Sequence, residues 1–62
     1  RRLQTRKLFM LQGLPGVGTR IAKRMLERFG SVEKVITASE YELSCVEGIG
    51  REKASIIRDI VT

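Results

Sequence analysis

At 62 residues the chain is one small domain, because chains of this size bury only ~60% of the surface their unfolded form exposes. A second domain, a barrel and a large enzyme pocket are excluded. It carries 12 Lys and Arg against 7 Asp and Glu, no histidine and a single cysteine, which excludes His-based catalysis, His metal ligands and an internal disulfide. The predicted elements are all helices, with no strand-like alternation. Residues 3–12 form the first, ended by the breaker cluster Gly13-Leu14-Pro15-Gly16-Val17-Gly18. The second starts near Thr19, whose hydroxyl is the expected cap, and buries Ile21, Ala22, Met25, Leu26 and Phe29. Gly30 stops it. Ser31 caps a short third helix through Val32, Val35 and Ile36, and Ser39-Glu40-Tyr41-Glu42 reads as a capping box opening a short fourth helix to about Cys45. A second glycine turn, Val46-Glu47-Gly48-Ile49-Gly50, leads into the last helix, whose expected buried face is Ala54, Ile56, Ile57, Ile60 and Val61. The expected fold is all-α, five short helices.

The net charge of +5 is unevenly placed. Arg1, Arg2, Arg6, Lys7, Arg20, Lys23 and Arg24 precede the first acid, Glu27, whereas residues 27–62 hold five cations and all seven acids. Such a split gives a basic end suited to a polyanion, or a solvated face beside a basic linker stub. No apolar run approaches a membrane span or a signal-peptide core, and the lone cysteine fits an intracellular setting. The chain opens mid-pattern at Arg1 and is expected to be a piece of a longer protein.

Two segments repeat. Leu14-Pro15-Gly16-Val17-Gly18 and Val46-Glu47-Gly48-Ile49-Gly50 are both apolar-x-Gly-apolar-Gly, 32 residues apart, and the register continues through Ala22 with Ala54 and Met25 with Ile57. Each half is therefore helix, glycine hairpin, helix, and the halves are expected to pack about a local two-fold. Within each hairpin the first glycine permits a tight reversal, and Val17 or Ile49 can pin the turn to the core. The second glycine, Gly18 or Gly50, carries no Cβ to block a ligand at the N-terminus of the next helix. Unpaired amides and the positive dipole end make that place suited to a phosphate. Cations follow in sequence: Arg20, Lys23 and Arg24 in one half, which share one helix face with position 27 and are expected to project together, and Arg51 and Lys53 in the other. The alternative is two plain interhelical turns. A Walker A loop is excluded because Thr19-Arg20 stand where Lys-Ser/Thr is required, and the G-x-G-x-x-G order is absent.

Gly-Leu-Pro-Gly-Val-Gly, then Phe29-Gly30-Ser31-Val32-Glu33, then Val46-Glu47-Gly48-Ile49-Gly50 resemble the tandem helix-hairpin-helix domain. The resemblance is strongest to the C-terminal domain of XPF/Hef-type structure-specific endonucleases, particularly archaeal Hef-like helicase–nucleases, and covers the chain from about Leu8. Ligases and excision-repair nuclease subunits share the motif. The resemblance implies non-sequence-specific binding of duplex or branched DNA through backbone phosphates, homodimerisation, and catalysis in a separate upstream nuclease domain using Mg2+. Carried over, the phosphate contacts are Gly16, Gly18, Thr19 and Arg20 in one hairpin and Gly48, Gly50 and Arg51 in the other. With Glu47 and Glu52 beside the second hairpin, the first is expected to contribute more.

No catalytic residue, metal site or cofactor is expected within these residues. Phosphodiester cleavage needs clustered carboxylates, and the seven acids are scattered. The family's acidic nuclease signature, Glu-Arg-Lys followed by Asp, is absent, and Cys45 is expected in the core. The run Leu8-Phe9-Met10-Leu11 surrounds most of a helix, more apolar surface than a tiny domain can cover. With Leu3, Ile57 and Ile60 it makes a candidate dimer interface, or a surface that packs on the rest of a longer chain. The alternatives to a DNA-binding dimer are a pure dimerisation or docking module and an appendage of another DNA-repair enzyme.

Overall fold

The computed structural model describes residues 2–62 and the side chains of residues 3–62. Arg1 and the Arg2 side chain, both counted in the basic first half, lie outside the described residues. Five helices follow in order: α1 (Arg2–Gln12), α2 (Thr19–Phe29), α3 (Val32–Thr37), α4 (Glu40–Ser44) and α5 (Gly50–Val61). α1 packs on α2 and α4 packs on α5, each pair joined by a glycine hairpin, while α3 bridges back to α1 and α2.

The 32-residue register holds in the packing. Leu11 and Leu43, Leu14 and Val46, Val17 and Ile49, Ala22 and Ala54, and Met25 and Ile57 are five equivalent pairs, and every member is buried. The turns are built alike as well. Leu14 N–H donates to the Leu11 carbonyl at 3.0 Å and Val46 N–H to Leu43 at 3.1 Å; Val17 N–H donates to Leu14 at 3.2 Å and Ile49 N–H to Val46 at 3.0 Å. These short loops satisfy the last carbonyls of α1 and α4, which have no partner inside their own helices. Gly16 and Gly48 take left-handed φ of 73° and 98°, the reversal that the first glycine of each motif supplies.

Local signals place the remaining boundaries. The Ser31 hydroxyl accepts from Lys34 N–H at 3.1 Å to start α3. Ser39 and Glu42 form a complete capping box: Glu42 N–H donates to Ser39 Oγ at 3.0 Å, and Ser39 N–H donates to Glu42 Oε1 at 2.9 Å. Gly30 closes α2 in the left-handed conformation. Arg58 of α5 donates to the Ile36 carbonyl at 2.6 Å, tying the last helix to the end of α3.

The structure corrects four expectations. Gly18, not Thr19, is the N-cap of α2; Thr19 is the first helical residue and makes no capping bond. Ile57 is fully buried as the counterpart of Met25, so it belongs to the core and not to a dimer interface. Ile56 and Ile60 are exposed, because the covered stripe of α5 is Ala54, Ile57 and Val61 and the two isoleucines lie on the neighbouring face. Cys45 is exposed, since the inward position after α4 falls to Val46, just as Leu14 rather than exposed Gly13 turns inward after α1.

Candidate nucleic-acid interface

The two hairpins lie side by side and exchange contacts. A Cβ built on Gly48 would meet Ile21 Cδ1 at 3.0 Å, and one built on Gly16 would meet Lys53 Cε at 2.9 Å. Ile21 and Lys53 are themselves equivalent in the 32-residue register. Each hairpin is thus covered by the helix of the other half, which is the reciprocal contact a two-fold requires. The Lys53 ammonium ends on the Gly48 carbonyl at 3.3 Å, and Arg24 Nη1 donates to the Glu47 carbonyl at 3.2 Å. Both bonds join groups at the junction of the two turns. The sequence reading missed this exchange, although the register pairing residue 21 with 53 carried the signal.

Both second glycines stand at the start of a helix. Neither α2 nor α5 has a side-chain cap at its N-terminus, so their first amides are not occupied by the chain's own side chains. The glycines nonetheless differ in backbone. Gly18 is extended, φ −93° and ψ −170°, and a Cβ on it would meet nothing within 4 Å. Gly50 has φ 70°. The fold therefore demands a glycine at position 50 for its conformation, whereas at position 18 neither conformation nor internal packing requires one.

The cations fall into two groups. Arg20, Lys23 and Arg51 are exposed and, among the described residues, make no hydrogen bond or ion pair within the chain. Arg24 and Lys53 are half-buried and engaged between the hairpins, so Arg24 does not project with Arg20 and Lys23 as the helix face alone suggested. Val17 and Ile49 are buried and reach outward only through their main chain. Thr19 is exposed beside Gly18. In the register, Arg20 corresponds to Glu52 and Lys23 to Ser55. The first hairpin therefore carries two uncommitted cations, and the second carries Arg51 next to an acid.

Of the predicted dimer residues, Phe9 is 76% exposed, Leu3 and Ile60 are also exposed, and Leu8 is half-buried against the core. Met10 joins them at 65% exposure, and Phe9, Met10 and Arg6 line one apolar depression on α1. Among the described residues no group of three His, Cys, Asp or Glu side chains comes together. No helix among them is long and apolar enough to cross a membrane.

Two uncapped helix starts behind paired glycine hairpins define the chain as a member of the helix-hairpin-helix motif family, whose pattern matches residues 7–62. It is similar in structure to XPF from Aeropyrum pernix, with a TM-score of 0.94 and 48% identity over 97% of this chain and 31% of that one. XPF from the same organism in complex with DNA gives a TM-score of 0.88 and 46% identity, over 98% of this chain and 35% of that one. The chain is 45% identical over 97% of its length to a protein named as an ATP-dependent RNA helicase in Methanocaldococcus jannaschii. It is 48% identical over 77% of its length to the UvrABC system protein C of Haloarcula marismortui. It spans only 8% of the length of each of these two relatives.

Proposed function

We propose that the chain is a non-catalytic DNA-binding module that holds duplex or branched DNA by its backbone phosphates and positions the nuclease or helicase activity of a longer, intracellular DNA-repair protein. The observation that carries this reading is the pair of adjacent hairpins opening uncapped helix starts, with Arg20, Lys23 and Arg51 uncommitted next to them in sequence. Amides at a helix start donate to phosphate oxygens irrespective of base, and flexible cations add contacts without sequence content. The likeness to a protein solved with DNA supports the same reading.

Homodimerisation belongs to the proposal. Leu3, Phe9, Met10 and Ile60 leave large apolar side chains in water, and a second copy of the domain is the proposed partner. A two-fold dimer would present four hairpins, suited to a fork or flap where two duplex arms diverge.

The test is a salt series of binding to fork, flap, single-stranded and linear duplex DNA of unrelated sequences. The expected result is sequence-independent binding that weakens steeply with salt and is tightest for the branched forms. A flat salt response, or preference for one sequence, overturns the phosphate mechanism; equal affinity for fork and duplex overturns the branch preference alone.

A further inference from the structure

We infer that Arg24, which its position in the basic stretch marks as a phosphate contact, is instead a positioning residue that holds the second hairpin at a fixed separation from the first. The inference rests on the DNA-binding reading above and assigns Arg24 a different role within it.

The guanidinium is already committed at both ends. Arg24 Nη1 donates to the Glu47 carbonyl at 3.2 Å, and Nη2 stands 3.8 Å from Glu47 Oε1. Nη1 also lies 3.6 Å from the point where a Cβ on Gly48 would sit. The Arg24 side chain is 35% exposed and the Glu47 side chain 84%. A long ion pair to so exposed a carboxylate contributes little, so the main-chain bond does the positioning. It spans 23 residues, from the middle of α2 to the turn before Gly48. In the 32-residue register the partners of Arg24 and Glu47 are Ile56 and Pro15, and an isoleucine side chain has no donor. The clasp therefore exists once, on the hairpin that has fewer uncommitted cations.

A bidentate binder gains from its second site only when the spacing allows both to engage one ligand at once. Ile21 and Lys53 press on the hairpins through aliphatic contacts, and the Lys53 bond to the Gly48 carbonyl stays within the second half, whereas the Arg24 bond ties a main-chain atom of the second turn to α2. Loss of that bond lets the second turn move relative to α2, and DNA affinity falls without loss of a phosphate ligand.

Salt dependence separates the two roles, because each phosphate ligand adds about one unit to the log–log slope whereas a positioning residue adds none. Duplex affinity of the chain is measured across a salt series for wild type, Arg24→Gln, Arg24→Ala and Arg20→Ala, with thermal melts confirming that each variant is folded. Glutamine removes the charge and ends two bonds short of Nη1, so it removes the bond to the Glu47 carbonyl while keeping the aliphatic stem. Arg24→Gln is expected to keep the wild-type slope and to lose affinity as the alanine variant does. Arg24→Ala should lose about tenfold in affinity at unchanged slope, the scale of one hydrogen bond from a charged donor. Arg20→Ala should lower the slope by about one unit. If Arg24→Gln and Arg24→Ala both lower the slope as Arg20→Ala does, Arg24 is a phosphate ligand and the inference fails. It fails equally if Arg24→Ala changes neither affinity nor slope. A flat salt response of the wild type sinks the DNA-binding reading itself.

Discussion

Lys53 crosses from the first turn of α5 to lie over Gly16, where its Cε occupies the space a side chain at position 16 would fill. Its register partner Ile21 does the same to Gly48 from α2. Both glycines are left-handed, so any side chain there is strained by its backbone as well as by the neighbour above it. The neighbours differ in kind. Lys53 meets Gly16 with the far end of a flexible chain, whereas Ile21 is a stiff β-branched residue packed against the core.

Gly16→Ala is therefore expected to cost about 1–2 kcal/mol, the left-handed penalty alone, since Lys53 can swing aside. Gly48→Ala should cost more, because Ile21 has to shift within its packing. Chemical denaturation of the two variants decides the order, and equal losses would show that Ile21 yields as freely as Lys53.

Position 18 behaves oppositely. Its extended backbone and open surroundings suit serine, a better N-cap than the glycine present. Gly18→Ser is expected to raise stability by a few tenths of a kcal/mol by capping α2. The same side chain occupies the amides offered to a phosphate, so DNA affinity should fall. A melt and a binding titration on one sample check both signs. Stability and affinity rising together would show that no phosphate uses the α2 N-terminus.

Much of this architecture was legible in the sequence. The repeated apolar-x-Gly-apolar-Gly, the cap at Ser31, the box at Ser39 and the stop at Gly30 each have a local cause, and the helix starts and stops follow from them. What failed depended on tertiary geometry. Apolar periodicity cannot say how wide a stripe its neighbours cover, so the expected buried face of α5 takes in Ile56 and Ile60 beside Ile57, and Ile57 and Ile60 are placed in the candidate interface as well, whereas only Ile57 of the three is buried. Helix-face reasoning placed Arg24 with Arg20 and Lys23, but a long side chain follows the nearest unpaired carbonyl, here that of Glu47. Gly18 holds the extended N-cap conformation, so Thr19 falls inside the helix as its first residue.

The apolar stripe of α1 yields a prediction about assembly. Phe9 is 76% exposed, so a charge there leaves the monomer core untouched, whereas Ile57 is fully buried. The wild-type chain is expected to sediment as a dimer at micromolar concentration. Phe9→Asp should sediment as a folded monomer with a helical circular dichroism spectrum. Ile57→Asp should not fold at all, since burying an unpaired carboxylate exceeds what a small core can offset. A monomeric wild type, or a dimeric Phe9→Asp, would show that this face serves another partner.

The charge asymmetry between the hairpins makes the last prediction. Arg20 and Lys23 are uncommitted beside the first helix start, and the register places Glu52 and Ser55 at the matching positions of the second. Arg51 therefore works against a neighbouring carboxylate, with Glu47 also exposed one turn away. If roughly four phosphates are neutralised per chain, the wild-type log–log salt slope for duplex should lie near −3 to −4. Arg20→Ala should reduce it by about one unit, and Lys23→Ala by a similar amount. Arg51→Ala should have the smaller effect on both slope and affinity, because the two acids already lower the positive potential at its site. Glu52→Gln supplies the converse check, since removing the acid should tighten binding through the second hairpin. Titrations against one fork at one salt, followed by the full series, compare all four variants directly. Equal losses at Arg20 and Arg51, or no gain from Glu52→Gln, would mean that the spacing of the turns outweighs their local charge.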